Sequence, residues 1–151
     1  MITALHTGFH KSELRSLTWG KVDFRNRLSR VEAGYAKNRE ARSVPMNELL
    51  TQTLQDSTLS ESTAPVFRNR QGQPYRDPDS AFITAVRRAG ITDFTFHDLR
   101  HTFASRLVMA GVDLVTVKEL MGHKHLAMTL CYAYPALDHK RLAVEVLSTG
   151  M

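Results

Sequence analysis

The run Thr95-Phe96-His97-Asp98-Leu99-Arg100-His101-Thr102-Phe103 constrains the fold of this chain more than any other stretch. Thr95 and Asp98 stand at the spacing of a capping box, which predicts a helix starting near Phe96. From there the chain reads helical to its end: about 96–110, then 114–121 closed by Gly122, then 125–133, then 138–147. On the first of these helices, Leu99, Phe103 and Leu107 share one face. His97, Arg100 and Ala104 form another stripe, because residues three and four apart project together. His97 and Arg100 fall in the first turns, where unpaired backbone N–H groups favour an anion. A basic stripe at that end is a seat for phosphate.

The first half is more varied. Met1 to Gly8 reads as the last turns of an apolar helix, with no cap before it. The chain is therefore expected to be cut from something longer. A helical pattern resumes at about His10, with Leu14 and Leu17 on one face, and ends near Trp19-Gly20. Two β-like runs follow, Leu28 to Val31 and Arg42 to Met46, joined through a turn over 36–40 carried by Asn38. Pro45 confines the second run to an edge or a strand end. A helix from Asn47 to about Gln55, a polar loop through Thr63, a second loop over 69–79 and a helix near Ser80 to Ala89 complete the half. There is no internal repeat and no low-complexity tract. The outline is an α+β fold, mainly α, with a small β element early in the chain packed against helices.

At 151 residues the chain fits one domain with a proper core. Twenty Lys+Arg against fifteen Asp+Glu give a formal net charge of +5, with a pI near 9.7. That balance permits a polyanionic partner without requiring one. Cys131 is the only cysteine, so an intrachain disulfide is impossible and a reducing compartment is expected. No apolar run approaches the roughly 18 residues of a membrane span, and no signal-peptide pattern opens the chain. A cytoplasmic protein is expected.

The polar residues admit several chemistries. His97 and His101 have the i, i+4 spacing of two metal ligands, and His123 and His125 would complete a zinc site. Against it, no glutamate stands between the helical pair to act as a base, and Arg100 beside them repels a cation. Tyr132 lies in a segment ended by Pro135. It either packs into the core with a bonded hydroxyl or acts as a nucleophile. A phenol with a reference pKa of about 10 needs surroundings that stabilise phenolate and a phosphorane-like transition state, which arginine and histidine around a phosphate supply. Lys37, in the turn, is a surface charge unless that turn reaches into a phosphate site, where it would serve as a general acid.

Five segments in order give the chain a specific resemblance. Ala4-Leu5-His6-Thr7-Gly8-Phe9-His10-Lys11-Ser12-Glu13-Leu14, continued by Leu17-Thr18-Trp19 and Val22-Asp23, forms an opening box. Lys37 followed by Arg42-Ser43-Val44-Pro45 forms a lysine hairpin, and His97 to Ser105 contains a His-x-x-Arg helix. Leu120-Met121-Gly122-His123 and Met128-Thr129-Leu130-Cys131-Tyr132-Ala133 follow, with His123 26 residues after His97 and nine before Tyr132. Over nearly its whole length the chain resembles the catalytic domain of the tyrosine recombinases, the phage integrase family.

The resemblance implies roles. Tyr132 would attack a scissile phosphate of double-stranded DNA, leaving a 3′-phosphotyrosyl link and a free 5′-hydroxyl. Arg100, assisted by His97 and His123, would hold the non-bridging oxygens, so that developing charge meets preorganised donors. Lys37 would protonate the departing 5′-oxygen. Glu13 would buttress the opening box, paired with a phosphate-binding residue. No metal or nucleotide cofactor is implied. The final helix, 138–147, with Leu142, Ala143 and Val146 on its apolar side, would dock on a neighbouring protomer or fold back on its own. A helical core-binding domain would precede this one, and the host would be bacterial or phage, with the protein at the nucleoid.

The pattern is broken in one place that matters. The family has an arginine after Thr-Gly-x, and here that position is His10. A histidine is shorter and only partly charged near neutrality. Losing a bidentate cationic clamp would cost about 10²–10³ in rate, by analogy with removal of an oxyanion donor. Cys131 and Tyr134 stand where relatives often carry arginine and histidine. These departures keep a second reading open, a weakened or inactive DNA-binding remnant of a prophage integrase. A zinc-dependent hydrolase on His97, His101 and His123 is the third.

Overall fold

The computed structural model describes residues 1–34, 40–57, 61–75, 79–133, 144–145 and 148. Lys37, the turn around it and nearly all of the 138–147 segment lie outside the described residues.

Helix α1, Ile2–Thr7, stops at Gly8, which takes the left-handed conformation at φ 63°. Two constraints meet at this glycine. A side chain is strained at that φ, and a Cβ would stand 2.4 Å from the Phe103 ring. Helix α2, Lys11–Arg15, is shorter than the helical pattern over 10–20 predicts. After it the backbone turns to non-local partners instead: Trp19 N–H donates to Ala64 O, Gly20 N–H to Ser62 O, and Val66 N–H to Leu17 O. The Thr18–Pro65 bridge fixes this crossing. A single 3-10 turn, Trp19–Lys21, then leads into the sheet.

The sheet has three antiparallel strands in the order β1 (Val22–Asp23), β2 (Leu28–Val31) and β3 (Arg42–Pro45). The two longer strands are those expected. Two-residue β1 carries no alternating pattern long enough to read. Ser29 pairs with Val44 and Val31 with Arg42, so Val31 and Val44 enter the core. Pro45 ends β3 at the sheet's edge, where its missing N–H breaks no ladder. Helix α3, Glu48–Gln55, is capped by the Asn47 side chain, which accepts from Leu50 N–H.

Helices α4 (Asp79–Arg88), α5 (Phe96–Met109) and α6 (Leu114–Met121) form the rest of the frame. The Thr95–Asp98 capping box starts α5 as expected. Asp113 caps α6, and Gly122 closes it at φ 65°. The main core joins α1, the sheet, α3 and α5 through Ala4, Phe9, Leu17, Trp19, Val44, Leu50 and Leu99, all buried. A smaller cluster of Phe103, Ala104, Val117 and Met121 packs α5 on α6.

The helix expected over 125–133 is instead two single 3-10 turns, Leu126–Met128 and Leu130–Tyr132. Their N–H groups reach back three residues, as in Tyr132 N–H to Thr129 O. Between them Thr129 is fully buried and its hydroxyl bonds to His123 Nδ1 at 3.0 Å. That tertiary anchor sets the local geometry where the helical period alone does not. Among the described residues no helix is long and apolar enough to cross a membrane.

Candidate active site

Three structural segments meet at one cleft. The loop 8–10 with α2 brings His10 and Glu13; α5 brings His97, Arg100 and His101; the chain after α6 brings His123, Cys131 and Tyr132. Together they line a cleft of about 400 Å³. Five of the residues expected in the site are therefore assembled in one place: His10, His97, Arg100, His123 and Tyr132. Glu13 lines the same cleft, and Lys37 lies outside the described residues.

The stripe of His97, Arg100 and Ala104 forms on α5 as expected, but Arg100 is not at its surface. It is buried with Ala104. Its Nη1 donates to the Gly8 carbonyl and its Nη2 to that of Met121. The guanidinium thus ties the end of α1 to the end of α6 while still lining the cleft. The reason lies in Gly8 and Gly122: both chains turn in the left-handed conformation here and present carbonyls to the cation. Burial, the strongest influence, pulls the Arg100 pKa down to about 10, partly offset by the Glu13 charge. It remains a cation at neutral pH.

Glu13 meets a partner that residue spacing left unnamed. Arg42 of β3 grips it through both terminal nitrogens, Nη1 to Oε1 at 2.8 Å and Nη2 to Oε2 at 2.7 Å. Arg42 Nε also donates to the Leu120 carbonyl at 3.0 Å, and the guanidinium lies 5.5 Å over the Phe9 ring. Gly122 stands against it at a left-handed φ, and a Cβ there would lie 2.7 Å from Arg42 Nη1, so that the guanidinium would have to shift. Burial alone would raise the Glu13 pKa. The hydrogen bonds and charge of Arg42 outweigh it and hold the carboxyl below the ordinary value. Glu13 Oε2 also accepts from His10 N–H at 2.8 Å, so one carboxylate fixes both β3 and the backbone of His10.

The rings form a series across the cleft. His10 stacks on His97 at 5.8 Å between centroids, and His97 meets His101 edge-on at 4.5 Å. His101 Nδ1 shares a hydrogen bond with Tyr132 Oη at 2.7 Å. His123 also stacks on Tyr132, at 6.5 Å between centroids. Burial first, and then the charges of Arg100 and Arg42, pull the His123 pKa down to about 4. It is neutral near pH 7, and with Nδ1 engaged by Thr129 its Nε2 is the nitrogen that can address a ligand. Burial raises the Tyr132 pKa, and neighbouring Cys131 adds to this against a lowering by Arg100.

The zinc reading gains nothing from this geometry. Among the described residues no group of three or more His, Cys, Asp or Glu is placed to hold a metal ion, and His101 is turned to Tyr132. Lys11 points away from the cleft toward an ion pair with Asp79, as its place on α2 suggests. From sequence, Arg42 and Thr129 are no part of the site, and His101 enters it only through the spacing of a metal ligand. The i, i+4 relation of His97 and His101 did place both on one face. No local signal marks Arg42 or Thr129.

A mainly helical α+β frame that sets a tyrosine opposite a buried arginine and a row of histidines defines a class of catalytic domain. The chain belongs to the phage integrase family, whose profile matches residues 1–139. It is 32% identical over 152 aligned residues to the integrase of Salmonella phage P22, an alignment covering 90% of this chain and 38% of that protein. It is 30% identical to the tyrosine recombinase XerC of Thermodesulfovibrio yellowstonii, covering 88% of this chain and 48% of the relative. The chain thus spans half or less of these relatives' lengths.

Among solved structures, the Tn1549 transposon integrase in complex with a circular intermediate DNA superposes with a TM-score of 0.80 at 28% identity. That match covers 95% of this chain and 56% of the other. The catalytic domain of bacteriophage HP1 integrase matches at a TM-score of 0.70 and 30% identity, covering 95% of this chain and 77% of the other. The fold expected from sequence is the fold found.

Proposed function

We propose that this chain cleaves and rejoins double-stranded DNA at specific sites, without a metal, through a 3′-phosphotyrosine intermediate. One observation carries the reading: Tyr132 opens into the same cleft as Arg100, His97 and His123, groups suited to hold a phosphate oxyanion. Arg100 supplies a fixed cation. His123 supplies a neutral N–H donor, and His97 and His10 complete the rim. Tyr132 Oη attacks phosphorus, and Lys37 protonates the departing 5′-oxygen. Religation reverses both transfers. Glu13 and Arg42 position the opening loop. The integrases and recombinases among its relatives, one solved on DNA, support DNA as the substrate, as does the net positive charge. We place the protein in the cytoplasm, at the nucleoid, of a bacterium that carries it or a phage encoding it. Residues 138–147 are assigned to protomer contact.

His10 favours one alternative, a DNA-binding remnant with little turnover. The test is covalent capture on a pool of nicked duplexes of randomised sequence, resolved on denaturing gels. A protein–DNA adduct that disappears in Tyr132→Phe supports the strand transferase. Absence of any adduct, even after His10→Arg, leaves only the remnant.

A further inference from the structure

The phenolic proton has to go somewhere. At neutral pH a tyrosine with a reference pKa of about 10 is almost wholly protonated, and burial makes Tyr132 more so. None of the roles carried over from the family to Arg100, His97, His123 or Lys37 in this chain accounts for that proton.

We propose that His101 is the general base that takes the Tyr132 proton. The inference rests on the strand-transferase reading above. Three observations carry it. His101 Nδ1 lies 2.7 Å from Tyr132 Oη, within the reach required for direct transfer. Both residues line the cleft that holds Arg100. And His101 stands on α5, which is capped at Thr95 and anchored by buried Leu99, Arg100, Phe103 and Ala104, so the acceptor is fixed. His123 instead bonds Thr129 through Nδ1 and meets Tyr132 by ring stacking at 6.5 Å between centroids.

The step balances. As Oη attacks, its O–H bonding pair becomes available to the new O–P bond and the proton passes to Nδ1, giving an imidazolium. The P–O5′ bond breaks with its pair going to the 5′-oxygen, which takes a proton from Lys37. In religation the imidazolium returns the proton to the phenolic oxygen. Charged and titratable groups surround His101 from each side. His97 and Asp98 share its helix, with the Asp98 carboxylate close enough to interact electrostatically. His123, Cys131 and Tyr132 face it from the last segment. Arg100 and Lys124 line the same cleft.

The test uses a duplex recovered from the randomised pool with wild-type protein, and follows single-turnover cleavage from pH 5.5 to 9. His101→Ala and His101→Asn are compared, since the asparagine amide can replace the Nδ1 hydrogen bond but cannot accept the proton. Both variants are expected to cleave about 10²-fold more slowly, the usual contribution of a positioned base. Their rates should climb with pH where the wild type levels off. A second substrate carries sulfur at the bridging 5′ position, whose thiolate leaves without a proton; the defect should persist on it. Wild-type cleavage by His101→Asn reduces the contact to positioning and overturns the proposal, as does an unimpaired His101→Ala. Rescue by the sulfur substrate overturns it too, by moving His101 to the leaving-group side. If the wild type forms no adduct on any duplex, the strand-transferase reading fails and this inference fails with it; a wild-type adduct with unimpaired variants sinks this inference alone.

Discussion

The two walls of the cleft are built differently. The wall carrying Arg100 is over-determined: α5 has a capping box and four buried side chains, and the guanidinium itself bonds two separate loop carbonyls. The wall carrying Tyr132 consists of two 3-10 turns in which no residue is fully buried, with Leu126, Met128 and Leu130 exposed. Thr129, buried between them, is the anchor. Electrostatic stabilisation requires donors that are already in place. A nucleophile must move by roughly a bond's length as its bond forms, and a lightly held segment allows that. Under the proposed mechanism, the contrast places the oxyanion seat on the heavily bonded wall and the attacking group on the wall with fewer contacts.

The contrast breaks most readily at Arg100. Arg100→Ala removes donors from two buried carbonyls and is expected to lower stability by about 3 kcal/mol, as unsatisfied buried acceptors do. Urea denaturation would measure this, and cleavage should fall by about 10²–10³-fold. A stable variant would mean that the rigid wall does not depend on this cation.

Next is the ion pair behind that wall. Glu13→Gln leaves Arg42 buried against a neutral amide and should cost about 2–3 kcal/mol at pH 7, a little under the usual range for breaking a buried pair. The sign with pH follows from the lowered Glu13 pKa. Its contribution is complete above the unfolded value of about 4.3 and is lost as pH falls through the lower folded value. The stabilities of wild type and variant should therefore converge in acid, while a constant difference would refute the linkage.

His10→Arg sharpens the comparison by strengthening the rigid wall. It should raise cleavage about 10-fold to 10²-fold, because an arginine brings a permanent charge and a two-pronged donor where the shorter imidazole offers one donor per nitrogen. An unchanged rate would show that the site has settled to a histidine at this position.

The smallest effect is expected on the lighter wall. Thr129→Val keeps the shape, removes the bond to His123 and should cost about 1 kcal/mol. The same histidine sets an acid sensitivity. Its folded pKa, about 4, is below the unfolded value, so the unfolded chain takes up the proton first. Stability should therefore decline as pH falls from about 6.5 toward 4, and His123→Asn should flatten that decline in thermal melts at fixed ionic strength.

What could be read from the chain alone follows the range of the forces involved. Thr95 with Asp98 starts α5, Gly8 and Gly122 end their helices, and Pro45 marks a strand end, because each acts within a turn or two of backbone. The order of His10, Lys37, His97, Arg100, His123 and Tyr132 was enough to suggest the family and most of the site. The fold alone decided the rest. Glu13 and Arg42 are 29 positions apart and Tyr132 and His101 are 31 apart, so neither pair leaves a periodic trace. The helical pattern over 125–133 gave way to 3-10 turns because a buried threonine had to reach a histidine six residues before it. Arg100 turned inward for a similar reason: two glycine-closed loops present carbonyls that the helix face alone does not reveal. Local sequence determines where helices and turns begin and end. Which charges face one another depends on segments that only packing brings together.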